Sequence, residues 1–376
     1  MQGSRRSPLW AKLLVVAGAV LLLTSGTALA GVTYALERID QTIEQRDLFG
    51  DPDPTEPPTS DVTGPLNILL VGIDTRPSRP NDTPLADSII IVHIPAGLDR
   101  GYLISLPRDT RVDIPPYEPT SYPGGRDRLN AAMSYGARPV PGEQSPDLDR
   151  GFELLSRTVA GLTGLRFHAG AVINFTGFTG VVDALNGVTI ELDQRIVSRH
   201  RQPDGRHRPL GGAAGYFGPQ MVYEPGVPPC GGERRDGSFT CVLNGWQALD
   251  VARQRYGVEG NDYGRQRNQQ LIVRAMVAKA ISRDMLVNPV ALNNVLRAAE
   301  GSLLFDGRGH PPVDYAFALR GLRPSDLVSV RVAADSVGSG DAYFGEELRA
   351  ETYELFEALR SGHLDAFLLD NPDLVG

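Results

Sequence analysis

Three short apolar runs limit the folds open to this chain. Residues 66–74 (LNILLVGID), 88–95 (SIIIVHIP) and 101–107 (GYLISLP) are rich in β-branched residues and bounded by Gly, Pro and Asp, the pattern of buried strands. Only AGLDR separates the second run from the third, a hairpin-sized connection. The runs therefore predict neighbouring strands that go up, down and up. That order fixes a charged rim: Asp74 and Arg76 end the first strand, Asp87 opens the second, and Arg108 and Asp109 follow the third. In such a meander those three points share one rim of the sheet, so two carboxylates and at least two guanidinium groups converge where α/β proteins commonly bind ligands.

Further along, helical periodicity over 150–162, 177–185, 244–253, 263–283, 289–300, 313–319 and 347–360 alternates with strand-like runs at 169–175, 188–192 and 327–333. The expectation is an α/β fold: a mixed central β-sheet with helices packed on both faces. Residues 195–241 read as an irregular, exposed excursion rich in Gly, Pro and Arg. Arg199, Arg201, Arg206 and Arg208, with His200 and His207 among them, read there as a solvated basic patch, contact with an anionic polymer being the alternative. His93, inside an apolar strand, reads as a core residue rather than a base.

The N-terminus points to export. Arg5, Arg6 and Lys12 precede an uncharged stretch from Leu13 to Leu36, closed by Glu37 and Arg38. As a helix it spans roughly 36 Å, enough to cross a bilayer. Basic flanks stay in the cytoplasm. Residues 1–12 are then a cytoplasmic tail, 13–36 a transmembrane helix, 37–63 a Pro- and Asp-rich linker, and 64–376 an extracytoplasmic domain. A cleaved signal peptide ending at Ala28-Leu29-Ala30 is the rival reading. Outside the cytoplasm Cys230 and Cys241 are expected to form a disulfide.

A net charge of −8 argues against nucleic acid as a partner. Positive charge is nevertheless concentrated in residues 252–270, ARQRYGVEGNDYGRQRNQQ, which hold Arg253, Arg255, Arg265 and Arg267. On a helix starting near Tyr263, Arg265 and Gln269 share one face, and Ile272 and Met276 continue that line into an apolar interior. Asn261 or Asp262 is placed to cap the start. Arg253 and Arg255 converge only if the backbone leaves the helix near Tyr256-Gly257. Forked guanidinium donors suit phosphates, and paired carboxylates suit Mg²⁺ beside phosphate oxygens. A diphosphate satisfies both. No G-x-S-x-G, H-E-x-x-H or G-x-x-x-x-G-K-[ST] supplies another chemistry.

Seven segments, NILLVGIDTR, ADSIIIVHI, GYLISLPRDTRVDIP, RLNAAMSYG, INFTGFTGVVDALNGVTIEL, LNGWQALDVARQR and NDYGRQRNQQLIVRAM, resemble in consistent order the LytR-CpsA-Psr family of cell-wall ligases. The resemblance implies a membrane-anchored extracytoplasmic phosphotransferase. Its donor would be a polyprenyl-pyrophosphate-linked glycopolymer, its acceptor peptidoglycan, and its cofactor Mg²⁺, or Mn²⁺ in its place. It implies Asp74 and Asp87 as metal ligands, and Arg108, Arg253, Arg255, Arg265 and Gln269 as a pyrophosphate clamp, with Arg76 and Arg128 as weaker members. Asp109 or a metal-bound Asp would take the acceptor proton. The polyprenyl tail calls for an apolar trough, for which Val172, Ile173, Phe175, Phe178 and Val182 are candidates and core packing the alternative. Two positions depart from the family pattern: Leu85, where many relatives carry Arg, and Asn268 in place of Arg. An extracellular pyrophosphatase and a non-catalytic sensor of pyrophosphate-linked lipid are the competing readings.

Overall fold

The computed structural model describes residues 46–50, 62–75, 81–210, 215–286 and 288–375. Arg76 and the expected membrane span at 13–36 lie outside them. Among the described residues no helix is long and apolar enough to cross a membrane.

The chain opens with strands β1 (Leu66–Ile73), β2 (Ala86–Ile94) and β3 (Gly101–Leu106). A two-stranded ribbon, β4 (Arg111–Ile114) and β5 (Gly125–Arg128), leads into helices α1 (Leu129–Gly136) and α2 (Leu148–Thr163). Strand β6 (Ala169–Asn174), helix α3 (Phe175–Ala184) and strand β7 (Val188–Leu192) follow. The excursion contributes β8 (Ile196–Val197), β9 (Val222–Tyr223), β10 (Cys230–Glu233) and β11 (Phe239–Leu243). Helices α4 (Gly245–Arg253), α5 (Asp262–Ala280), α6 (Arg283–Leu286) and α7 (Pro289–Ala299) come next. Strand β12 (Leu303–Asp306), helix α8 (Pro312–Ala318), strands β13 (Leu327–Arg331), β14 (Ala334–Val337) and β15 (Gly345–Leu348), then helices α9 (Ala350–Ser361) and α10 (Leu364–Asp370) complete it.

The central sheet has the order β12-β6-β1-β2-β3-β13. Strands β1, β2 and β3 are antiparallel neighbours, as the sequence predicts, while β6 joins β1 and β13 joins β3 in parallel. Alternation along each strand divides the side chains between two faces. Leu69, Val71, Ile73, Ile89, Ile91 and Val172 pack into the main core with Met133 of α1, Phe152 and Leu155 of α2 and Phe356 of α9. Leu70, Gly72, Ser88, Ile90, Ala171 and Ile173 face the other way, toward α3, α4 and α5.

A second core, built on Val188, Ile190, Phe239, Leu243, Val251 and Ile272, ties α4 and α5 to the three-stranded sheet β10-β11-β7. The Cys230–Cys241 disulfide closes the hairpin at its edge, as expected.

Three expectations are corrected. The excursion is not irregular throughout, because four of its segments pair as strands. Nor is the stretch 37–63 a free linker over its whole length. Leu48 and Phe49 are buried, and the Leu48 amide donates to Asp306 Oδ2 at 2.9 Å, because two adjacent large apolar residues gain more from the core than from water. Finally, neither Asn261 nor Asp262 caps α5. Asn261 has φ 49° and makes no capping bond, and the Asp262 carboxylate is engaged by arginines instead.

Candidate functional site

Cross-strand register builds the floor of a cavity of about 600 Å³. Ile90, Leu70 and Ala171 form one row across β2, β1 and β6, and Ser88, Gly72 and Ile173 form the next. Gly72 keeps the second row low: a Cβ there would stand 3.2 Å from Ser88 Cβ. Helix α5 supplies the facing wall with Arg265, Gln269, Ile272, Val273, Met276 and Val277, a stripe at i, i+4, i+7, i+8, i+11 and i+12. The stripe is polar at Arg265 and Gln269 and apolar from Ile272 onward, so the cavity has a charged end and a greasy one.

The charged end is the rim predicted from the strand order. Asp74 leaves β1, Asp87 lies at the start of β2 and Arg108 follows β3, and all three line the cavity. Arg108 donates to Asp87 and lies 3.8 Å from Asp109. Burial works against its charge, and the carboxylates of Asp87, Asp109 and Asp262 nonetheless hold its pKa above the ordinary value.

Arg253 and Arg255 also reach the wall, although two residues apart. Helix α4 stops at Arg253, where the periodicity ends, and Gln254 is extended at φ −68° and ψ 121°, so the backbone leaves the helix between the two arginines rather than at Tyr256-Gly257. Arg253 lies 3.6 Å from Asp74 and over the Phe175 ring at 4.5 Å. Arg255 lies 3.6 Å from Asp262, which also accepts from Arg265 at 2.9 Å. Arg265 is almost fully buried, and that burial pulls its guanidinium pKa down against the pull of Asp262. Gln269 donates to the Ala252 carbonyl at 3.2 Å, which locks α5 against the last turn of α4.

Asp74, Asp87, Arg108, Arg253, Arg255, Arg265 and Gln269 therefore share one cavity. Arg128 and Asp109 do not line it. They pair with each other at 3.7 Å behind Arg108, and Asp109 is buried. Of the trough candidates, Ile173, Phe175 and Phe178 line the cavity, whereas Val172 and Val182 face packed cores, because alternation on β6 and the helical turn of α3 aim them away. Arg267 turns outward to Asp193 at 3.1 Å. Neither departure from the family pattern is on the wall: Leu85 is exposed and Asn268 is buried elsewhere.

The sequence reading missed three parts of the site. Asp262, the carboxylate shared by two arginines, was marked by its i, i+3 spacing to Arg265. Tyr256 follows the arginine pair directly and lines the cavity. Arg199 and His200 also line it, so the basic patch is not a uniformly solvated loop. Arg208 is buried, donating to the carbonyls of Arg199, Tyr216 and Gly218, and Arg201 donates to that of Gly205; Arg206 stays in solvent.

Two carboxylates on the wall are few for a metal cage, and among the described residues no group of three His, Cys, Asp or Glu side chains is disposed to hold an ion. Mg²⁺ commonly takes one or two carboxylates and completes its shell with water and phosphate oxygens. Asp74 and Asp87, facing a cavity rich in guanidinium groups, fit that mode.

The LytR_cpsA_psr family model matches residues 32–353. The polyisoprenyl-teichoic acid–peptidoglycan teichoic acid transferase TagU of Oceanobacillus iheyensis is 29% identical over 217 residues, 58% of this chain and 52% of that protein. The cell wall biosynthesis protein LcpA of Corynebacterium glutamicum is 25% identical over 307 residues, 76% of this chain and 53% of that protein. The match spans about half the length of these two relatives. Among solved structures, protein gbs0355 from Streptococcus agalactiae superposes with a TM-score of 0.58 at 22% identity, over 80% of this chain and 88% of that one. TagV of B. subtilis does so with a TM-score of 0.52 at 20% identity, over 81% and 98%. Matched along most of its length and sharing the fold of these structures, the chain belongs to the LytR_cpsA_psr family.

Proposed function

We propose that this protein transfers a glycopolymer from a polyprenyl-pyrophosphate carrier to peptidoglycan. The observation that carries the reading is the two-ended cavity: guanidinium groups and carboxylates at the sheet rim run without a break into an apolar trough between the sheet and α5. A lipid diphosphate has the same two halves. We further propose that residues 13–36 anchor the chain in the membrane and hold the catalytic part outside.

Phosphoryl transfer is mainly positioning and charge neutralisation. Arg253, Arg255 and Arg265 bind the diphosphate oxygens, and Asp262 keeps two of them aimed while the substrate is absent. Arg108, now paired with Asp87, turns to the near phosphate. The tail fills the trough over Ile90, Ile173 and Met276 and excludes water from the sheet face. An acceptor hydroxyl oxygen attacks the phosphorus that carries the glycan. The bond to the bridging oxygen breaks, and polyprenyl phosphate leaves. Asp74 or Asp87, the carboxylates that reach the cavity, accepts the hydroxyl proton, while Asp109 holds Arg108 from behind. Asp74 and Asp87 would hold Mg²⁺, which would supply charge neutralisation.

The test is incubation of the full chain with a lipid-diphosphate-linked glycan, Mg²⁺ and peptidoglycan fragments. Glycan joined to the fragments with release of lipid monophosphate is the expected result. Release of the phosphorylated glycan to water would make the protein a pyrophosphatase, and binding without turnover would make it a sensor.

A further inference from the structure

The cavity mouth carries a feature that the diphosphate and the tail leave unused. Tyr256 lines the cavity, yet the residue is 59% exposed. The Arg199 guanidinium lies over its ring at 4.4 Å. His200 lines the cavity beside them. Its ring meets Tyr216 edge-on at 5.1 Å, and burial followed by the charge of Arg253 lowers its pKa, so near neutrality it presents an uncharged imidazole.

The backbone that carries Arg199 and His200 is held in place. Ser198 Oγ donates to Asp250 Oδ1 at 2.8 Å, and Tyr223 Oη donates to Asp250 Oδ2 at 3.0 Å. Gln254, between the two clamp arginines, donates to Asp250 Oδ1 at 2.7 Å and accepts the Arg199 amide at 3.0 Å. A single buried carboxamide thus fixes the spacing between the clamp and Arg199. Buried polar networks satisfied in this way are rigid.

We propose that Arg199, Tyr256 and His200 form a subsite for the sugar bonded directly to the pyrophosphate. This rests on the lipid-diphosphate reading. A hydroxyl-rich ring presents acceptors to the Arg199 fork, which is preorganised for hydrogen bonding, and an apolar C–H face to the exposed part of the tyrosine ring. The excursion then sets which glycan the enzyme accepts, while α4 and α5 set the reaction.

The experiment measures the affinity of the full chain for two probes: geranyl pyrophosphate, and the same lipid pyrophosphate carrying one N-acetylglucosamine. The wild-type preference for the sugar-bearing probe should fall about tenfold in Arg199→Ala, as for loss of a hydrogen bond to a charged group, and several-fold in Tyr256→Ala, which removes the aromatic face. Tyr256→Phe, which keeps the ring, should retain most of it. An unchanged ratio in both alanine variants, or no wild-type preference, would overturn the subsite and leave the diphosphate reading standing. Failure of the wild type to bind either probe would remove both.

Discussion

At the residue scale, Arg255 and Asp87 carry the sharpest expectations. Each faces the cavity from a different element and is paired across the site, Arg255 with Asp262 and Asp87 with Arg108. Arg255→Ala and Asp87→Ala should each lower transfer by at least about 100-fold, the usual scale for removing a preorganised charge from a transition state. A single-turnover assay checks it, and wild-type rates in both would remove the site assignment. His93 offers a test of folding instead. Burial, then the charge of His168, lowers its pKa to about 4. Asn67 Nδ2 donates to the Arg166 carbonyl, which orients Asn67 Oδ1 toward His93 Nδ1 at 2.7 Å. As pH falls from 7 to 5 the unfolded chain takes up this proton and the folded chain does not, so stability declines on the acid side. The loss attributable to this group is about 2 kcal/mol. Urea unfolding at the two pH values should show a smaller decline in His93→Gln than in the wild type; an equal decline would contradict it.

At the element scale, what the sequence showed and what it hid follow from periodicity. Strands β1, β2 and β3 were legible because each is apolar, β-branched and bounded by breakers, and their order alone brought Asp74, Asp87 and Arg108 to one rim. Helix α5 was legible through its stripe, although its buried faces are too polar to look amphipathic. Strand β12 was not legible: it has four residues and pairs only at the sheet edge. The short helix α1, with Asn130 buried among its apolar residues, gives little periodic signal. Arg208 shows the deeper limit. An arginine in a glycine-rich loop reads the same whether its head meets water or, as here, three backbone carbonyls. The disulfide makes the excursion testable as a unit. It closes a loop with a sequence separation of 11. Replacing Cys230 and Cys241 by serine should cost about 2–3 kcal/mol in the chain-entropy account. An unchanged urea midpoint would show that the β10-β11 hairpin is held by its packing alone.

At the scale of the whole molecule, the sheet separates two tasks. One face is closed by α1, α2, α9 and α10 over an apolar core, and the other leaves a space beneath α5. An apolar space of that size, opening onto a charged rim, has the form of a ligand site and is the basis of the proposed lipid trough. Met276→Trp should fill the trough and raise the KM for a long polyprenyl donor about tenfold, a typical scale for a hydrophobic pocket denied to its substrate. Inhibition by inorganic pyrophosphate should stay as in the wild type. Equal loss on both measures would place the lipid elsewhere. The most direct test is a crystal structure of the chain soaked with geranyl pyrophosphate. Electron density for two phosphates between Arg255, Arg265 and Asp87, with the tail lying over Ile90 and Ile173, is the expected result. Phosphates bound on another surface, with the space beneath α5 holding only solvent, would contradict it.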